Sequence, residues 1–158
     1  MKKIAVIGVG NPLRQDDGIG ILLLKKLKKI EKNLPKSIDL IDFGTGGMNL
    51  LYVFEKYQRI IIIDAADINK KPGEVLIFNP NQVISKKINS KITTHQSDIL
   101  NIVEIAKKLG TEPYIKFFAV QPQITDCGTE LSKKLQKNLD MIFKKLIEEI
   151  NKTTQMEQ

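Results

Sequence analysis

The chain has 158 residues, a hydrophobic content of 42% and a net charge of +7 at pH 7. This length suits one domain with its own core, and no apolar run approaches the length of a membrane span. The lysines are dispersed and only 6% of the residues are aromatic, which argues against nucleic-acid binding because stacking side chains are scarce. A single cysteine and an N-terminus without a secretory pattern lead us to expect a cytoplasmic protein.

The first half of the chain predicts three strands, each followed by a loop and a helix or turn. A β-branched run over residues 3–9 predicts a buried parallel strand, and a glycine-containing loop then leads to a helix over 19–31. The next elements are a strand over 37–43, a short helix over 48–57 and a strand over 59–65. This third strand contains four consecutive isoleucines and carries Asp64 to its carboxyl end.

The second half predicts an antiparallel strand and two further helices. Nine residues separate Asp64 from the strand over 74–78, too few for a crossover helix. A long irregular stretch over 79–94 then leads to His95, the only histidine in the chain. The remaining predicted elements are a helix capped by Ser97 or Asp98 and running to 108, a strand over 114–120, a helix over 130–150, and a polar tail over 151–158.

This order predicts a single α/β domain over residues 1–150. The expected architecture is a three-layer α/β/α fold around a mixed five-stranded sheet, with strand 4 antiparallel and helices on both faces. Ligands of such sheets bind beyond the carboxyl ends of the parallel strands. If the first and third strands are neighbours, Asp16, Asp17 and Asp64 lie on one rim, and Asp42 ends the second strand on the same rim.

The acids on this rim favour a metal site, although a simpler interpretation exists. Asp16 or Asp17 could cap the helix that follows, because short acidic side chains satisfy free N–H groups at a helix start. Neighbouring carboxylates repel each other unless a cation or a proton lies between them. Asp17 and Asp64 together with His95 would form an oxygen and nitrogen donor set suited to nickel, zinc or manganese.

An ordered set of motifs resembles the hydrogenase maturation endopeptidases, which cut a C-terminal extension from the large subunit of nickel-iron hydrogenases. The similarity runs from about residue 3 to residue 150, nearly the whole chain. It depends on Gly-Val-Gly-Asn at 8–11, Asp-Asp-Gly-Ile-Gly at 16–20, Asp-Phe-Gly-Thr-Gly-Gly at 42–47, Ile-Asp-Ala at 63–65, Pro-Gly-Glu at 72–74, Thr-Thr-His at 93–95 and Gln-Pro at 121–122.

This resemblance implies a metal-dependent endopeptidase. It implies that Asp17, Asp64 and His95 bind the metal, and that many relatives carry Glu where this chain has Asp17. The metal would be nickel presented by the large-subunit precursor, with zinc or cadmium able to substitute in vitro. The resemblance also implies a monomer, whereas the composition leads us to expect no membrane or nucleic-acid partner. The residues implied to recognise the substrate are Asp42, Gly44, Thr45 and Gly46.

Several points stay open at the level of sequence. The general base is not identified, and Asp16 and Asp42 are both candidates. A non-catalytic nickel-binding chaperone would share the same metal site. A receiver-type signalling domain also has acids after strands one and three, but its strand-five lysine is replaced by Gln121. Dinucleotide binding is disfavoured because Leu13 occupies the place of the third glycine of that motif.

Overall fold

Five strands form one mixed sheet in the computed structural model, which describes residues 3–85 and 94–156, with 83–85 and 94–97 described as backbone alone. The strands are β1 (Ile4–Gly8), β2 (Ile38–Asp42), β3 (Arg59–Ala65), β4 (Val75–Phe78) and β5 (Tyr114–Val120). Their order across the sheet is β2-β1-β3-β5-β4. The first four in this order are parallel, and β4 pairs antiparallel with β5. The predicted sheet is therefore confirmed, including its antiparallel fourth strand.

Helices cover both faces of this sheet. They are α1 (Ile19–Lys29), α2 (Leu50–Lys56), α3 (Pro80–Ser85), α4 (Thr94–Lys108) and α5 (Lys133–Gln155). The helices α1 and α5 share one apolar cluster with one face of the sheet, and α2 and α4 share a second cluster with the other. This confirms the three-layer architecture. No helix in the described part of the chain is long and apolar enough to cross a membrane.

The side-chain alternation of β3 decides which layer the candidate site faces. Ile61 and Ile63 pack in the cluster with α1 and α5, whereas Ile60 and Ile62 pack in the cluster with α2 and α4. Because successive side chains of a strand point to opposite faces, Asp64 belongs to the face covered by α2 and α4. The strand thus sends its terminal acid toward the layer that contains the start of α4.

The stretch over 79–94 was predicted to be irregular, and the described part of it is not. Residues 80–85 form α3, and residues 86–93 lie outside the described residues. A reciprocal cap starts this helix: the Asn79 side chain accepts from the Asn81 N–H, and the Gln82 side chain accepts from the Asn79 N–H, both over 2.9 Å. Pro80 occupies the first helical position, where its missing N–H costs nothing.

Two other helix boundaries also differ from the predictions. The helix α4 begins at Thr94, so Ser97 and Asp98 lie in its first turns and neither is its cap. A cap residue precedes the first helical position, so residues inside the helix cannot serve as its cap. The helix α5 begins at Lys133 instead of 130, and the hydroxyl of Ser132 caps it by accepting from the Leu135 N–H.

The end of α5 lies beyond the boundary predicted at residue 150. The residues assigned to a frayed tail remain helical to Gln155, and Thr153 is buried. The Arg59 guanidinium donates to the carbonyl oxygens of Thr153 and Met156, over 3.3 and 2.9 Å. These bonds satisfy carbonyl groups that a helix end otherwise leaves free. An arginine distant in sequence therefore orders a segment whose own composition is polar.

Candidate active site at the strand ends

Strand register places two of the candidate acids at the same edge of the sheet, on strands that are separated by β1. Gly8 of β1 pairs with Asp42 of β2 on one side and with Ile63 of β3 on the other. Asp64, one residue further along β3, pairs with Ala119 of β5. Both acids thus lie at the carboxyl ends of parallel strands, the rim at which ligands bind in this class of sheet.

The loop after β1 returns over this rim because Gly10 permits a close backbone approach. The Val9 N–H donates to the Ile63 carbonyl over 2.9 Å, and the Gly10 N–H donates to the Gly44 carbonyl over 2.6 Å. Gly10 has a φ of 139°, and a Cβ there would overlap the carbonyl oxygen of Asp17. The loop therefore brings the backbone of Asp17 against Gly10, close to the end of β1.

Asp17 lies in a short 3₁₀ turn over Gln15–Gly18 and is half-buried. Its Oδ2 accepts a hydrogen bond from the Asn11 N–H over 2.9 Å. The N-terminus of α1 has Gly18 as its cap residue and no side-chain capping bond. The helix-cap interpretation of Asp17 is therefore wrong, and its carboxylate is oriented by the loop in front of it.

Asp64 is the buried acid of the site, with 1% of its surface exposed. Neither of its carboxylate oxygens has a hydrogen-bond partner among the described residues. Burial raises the pKa of Asp64 well above its ordinary 3.8, and the negative charge of Asp17 raises it further. The nearby Ala65 amide, which forms no hydrogen bond with the carboxylate, opposes this rise to a smaller extent. Such a group is costly unless a proton or a cation satisfies it.

Asp42 belongs to an exposed part of the rim. Its Oδ1 accepts from the Gly44 N–H over 3.0 Å and so supports the turn that follows. Three glycines of this turn, at 44, 46 and 47, have φ values of 56°, 86° and 124°, conformations that other residues rarely adopt. The turn and the middle of α4 border an open cleft of about 310 Å³, lined by residues that include Thr45, Met48, Asp98, Ile99 and Ile102.

His95 lies in the first turn of α4, and its side chain is outside the described residues. Because α4 leads back to the start of β5, which is parallel to β1 and β3, its N-terminal end lies at the same rim as Asp17 and Asp64. Among the described side chains, no three His, Cys, Asp or Glu residues form a group that could hold a metal ion. The ligand role of His95 therefore stays a prediction.

Asp16, a candidate general base, is fully buried. Its Oδ2 accepts from the backbone N–H groups of Gln123 and Ile124, over 2.8 and 2.9 Å. Its Oδ1 accepts from the Ser132 N–H over 2.7 Å. The two adjacent acids thus differ completely: Asp17 lies at the rim, and Asp16 joins the rim to the segment that precedes α5.

Gln121 was noted in sequence as a replacement for a lysine, without a role of its own. Its side-chain Oε1 accepts from the Ile68 N–H over 2.8 Å and so ties the end of β5 to the connection after β3. The Gln-Pro pair at 121–122 was the signal available, because it places an amide side chain directly after the last strand. At this strand end the protein therefore has a structural amide in the place where a receiver domain has its lysine.

Comparison with known proteins identifies a family for this chain. The model of the HycI hydrogenase maturation protease family matches residues 21–149. The hydrogenase expression/formation protein HupD of Rhodobacter capsulatus is 25% identical over 151 residues, covering 94% of this chain and 71% of HupD. A Methanocaldococcus jannaschii relative whose name places it in the same family is 31% identical over 154 residues, covering 93% of this chain and 88% of the relative.

Solved structures show the same fold. The hydrogenase maturating endopeptidase HybD of Escherichia coli superposes with a TM-score of 0.78 at 26% identity, over 96% of this chain and 93% of HybD. The hydrogenase maturation protease HycI of Thermococcus kodakarensis superposes with a TM-score of 0.73 at 22% identity, over 96% and 93% of the two chains. The family match and the shared fold thus define a hydrolase of the endopeptidase class. The chain belongs to the hydrogenase maturation protease family.

Proposed function

We propose that this endopeptidase removes the C-terminal extension of a nickel-iron hydrogenase large-subunit precursor after nickel has been loaded. Membership of the family supports the class of reaction. The observation that carries the nickel dependence is Asp64, whose buried carboxylate oxygens have no partner among the described residues. A cation that arrives with the substrate would satisfy these oxygens, and a metal-free precursor would leave them unpaired.

The proposed metal ligands are Asp17, Asp64 and His95. Nickel is here part of the substrate, and zinc or cadmium would replace it in vitro because the donor set suits borderline divalent ions. When bound, the ion would polarise the scissile carbonyl or hold the precursor in register. Asp64 provides a desolvated anionic ligand, since it is 1% exposed. Asp17 provides a second carboxylate, oriented by the Asn11 N–H.

The remaining roles follow from exposure and hydrogen bonding. The turn that contains Gly44, Thr45 and Gly46 would contact the precursor, because it borders both Asp42 and the cleft beside α4. Of the two candidate bases we favour Asp42, which is exposed and accepts one bond from its own turn. Asp16 is less suitable, since three backbone N–H groups already occupy its carboxylate.

The test is cleavage of a hydrogenase large-subunit precursor purified in nickel-loaded and nickel-free forms. We expect mass spectrometry to detect a released C-terminal peptide from the nickel-loaded form alone. Asp17→Ala, Asp64→Ala and His95→Ala should each abolish release. Asp140→Ala is the matched control, because Asp140 is an exposed carboxylate on α5, the opposite layer from α4.

Each result separates the proposal from an alternative. Equal cleavage of both precursor forms would contradict nickel dependence. Normal cleavage by the three site variants would contradict the ligand assignment. Nickel binding by the protein without cleavage of any cognate precursor would favour the non-catalytic nickel-binding chaperone instead.

A further inference from the structure

Asp16 holds two segments of the chain together at the site. Its carboxylate accepts N–H groups from Gln123, Ile124 and Ser132, which lie more than one hundred residues further along the chain. Its own N–H donates in return to the Ile124 carbonyl over 3.0 Å. We refer to residues 123–132 as the tether segment. Because Asp16 is fully buried, water cannot replace these bonds.

Further bonds join the same two segments on either side of Asp16. The Gln15 N–H donates to the Gly128 carbonyl, and the Gly128 N–H donates to the Leu13 carbonyl, each over 2.9 Å. The Arg14 Nε donates to the Thr125 carbonyl over 3.0 Å. The loop that ends at Asp17 is thus attached to the tether segment at every residue from Leu13 to Asp16.

The attachment maintains an unfavourable backbone conformation. Gln15 has a φ of 45°, which is uncommon for a residue other than glycine. Such conformations persist where the surrounding structure holds them, and they are frequent at active sites. Here the N–H groups of Gln15 and Asp16, on both sides of the strained residue, are bonded to the tether segment. The turn that carries Asp17 therefore depends on bonds from outside the loop.

We propose that Asp16 is a positioning residue, which fixes the turn so that the Asp17 carboxylate is held against the Asn11 N–H and beside Asp64. Asp17 follows Asp16 directly and lies in the same 3₁₀ turn. Loss of the Asp16 bonds would free this turn and move Asp17 relative to the rigid end of β3. The consequence for metal binding rests on the proposed function, whereas the effect on Asp17 does not.

The variant for the test is Asp16→Asn. Its single side-chain oxygen can replace Oδ2, but its amide group would then face the Ser132 N–H, where two donors meet. The control is Ser132→Ala, which removes the hydroxyl that caps α5 and keeps the backbone N–H that Asp16 accepts. Both variants should lower the Tm, and the loss should be larger in Asp16→Asn, because a buried donor there is left facing another donor.

Two measurements distinguish a role of Asp16 in positioning Asp17 from a general contribution to the stability of the fold. The first is hydrogen exchange of the Asn11 amide in the metal-free protein, because this amide donates to Asp17. We expect about tenfold faster exchange in Asp16→Asn, a clear loss of local protection, and no change in Ser132→Ala. The second is calorimetric titration with nickel(II) alone, for which we expect affinity to fall at least about tenfold in Asp16→Asn and to stay unchanged in Ser132→Ala.

A milder variant covers the case in which Asp16→Asn does not fold. Gln123→Pro, at an exposed position, removes one of the three donors and retains Asp16. It should accelerate Asn11 exchange in the same direction but to a smaller extent. Exchange and nickel affinity that change no more than in Ser132→Ala would overturn the proposal. If the wild-type protein binds no nickel, the proposed metal site fails, and Asn11 exchange still decides the role of Asp16.

Discussion

Asp64 is buried beside Asp17, and the charge of Asp17 adds to the effect of burial in raising the pKa of Asp64. One carboxylate is bonded to a loop amide, and the other has no hydrogen-bond partner among the described residues. Buried polar groups in proteins are nearly always paired, so the unpaired carboxylate of Asp64 is an exception. The buried, unpaired carboxylate of Asp64 should therefore lower the free energy of unfolding of the metal-free protein.

Asp64→Asn is expected to stabilise the metal-free protein. Because the folded-state pKa of Asp64 is raised, its contribution to stability is complete below the unfolded value of 3.8 and is lost as the pH rises above it. The neutral amide avoids this loss, so the advantage of the variant should grow with pH. At pH 8 we expect the free energy of unfolding to rise by about 1–3 kcal/mol, which corresponds to a few degrees in Tm. Thermal unfolding from pH 4 to 8 measures it.

Asp42→Asn is the matched control, since Asp42 is exposed and its amide counterpart can still accept from Gly44. It should show no pH-dependent gain over the wild-type protein. A Tm for Asp64→Asn that stays at or below the wild-type value across this range would contradict the expected cost of the buried carboxyl group.

The local sequence pattern was sufficient to predict the strands, but it could not predict the separate roles of Asp16 and Asp17. The apolar runs predicted the exact limits of Arg59–Ala65 and Tyr114–Val120, because a buried strand needs a continuous hydrophobic sequence. Asp16 and Asp17 could not be told apart, because they are identical and adjacent. What separates them is a set of N–H donors 107, 108 and 116 residues away. Such contacts exist only after the segment before α5 has packed against the first loop.

The ends of two helices also could not be predicted from the local sequence. Residues 79–94 were predicted to be irregular, although Asn79 and Gln82 start α3 through a reciprocal cap. Residues 151–155 were assigned to a tail because they are polar, and Arg59 holds them in α5. A polar sequence therefore ends a helix or continues it, depending on which hydrogen-bond partners the folded structure places beside it.

Gly20 should be intolerant of even one added carbon atom. A Cβ at this position of α1 would overlap the backbone carbonyl oxygens of Val9 and Ile63, which are fixed in the sheet. Gly20→Ala is expected to cost about 3 kcal/mol or more, because backbone atoms cannot move aside as a flexible side chain can. Urea unfolding measures it. Gly44→Ala is the control, since its φ of 56° carries a cost of about 1–2 kcal/mol and no atom lies within 4 Å of the added Cβ. Equal losses in the two variants would contradict the packing argument.

Lys116 and Glu149 form an ion pair between β5 and α5, with side chains 21% and 4% exposed. Burial lowers the pKa of Lys116, but its bond to Glu149, the charge of Glu149 and a contribution from Tyr114 outweigh this effect and raise it above 10.5. Lys116→Met leaves Glu149 buried without its partner, which should cost about 3–5 kcal/mol. The double variant Lys116→Met with Glu149→Leu removes both charges and should recover most of this loss.

An exposed ion pair provides the control for the buried pair of Lys116 and Glu149. The pair formed by Lys3 and Asp39 is 3.7 Å long, and its side chains are 54% and 38% exposed. Lys3→Met should therefore cost less than about 1 kcal/mol, because water solvates the carboxylate that is left. Urea unfolding of the three variants compares these values directly. A double variant at 116 and 149 that is no more stable than Lys116→Met would mean that lost packing, and not the unpaired charge of Glu149, causes the destabilisation.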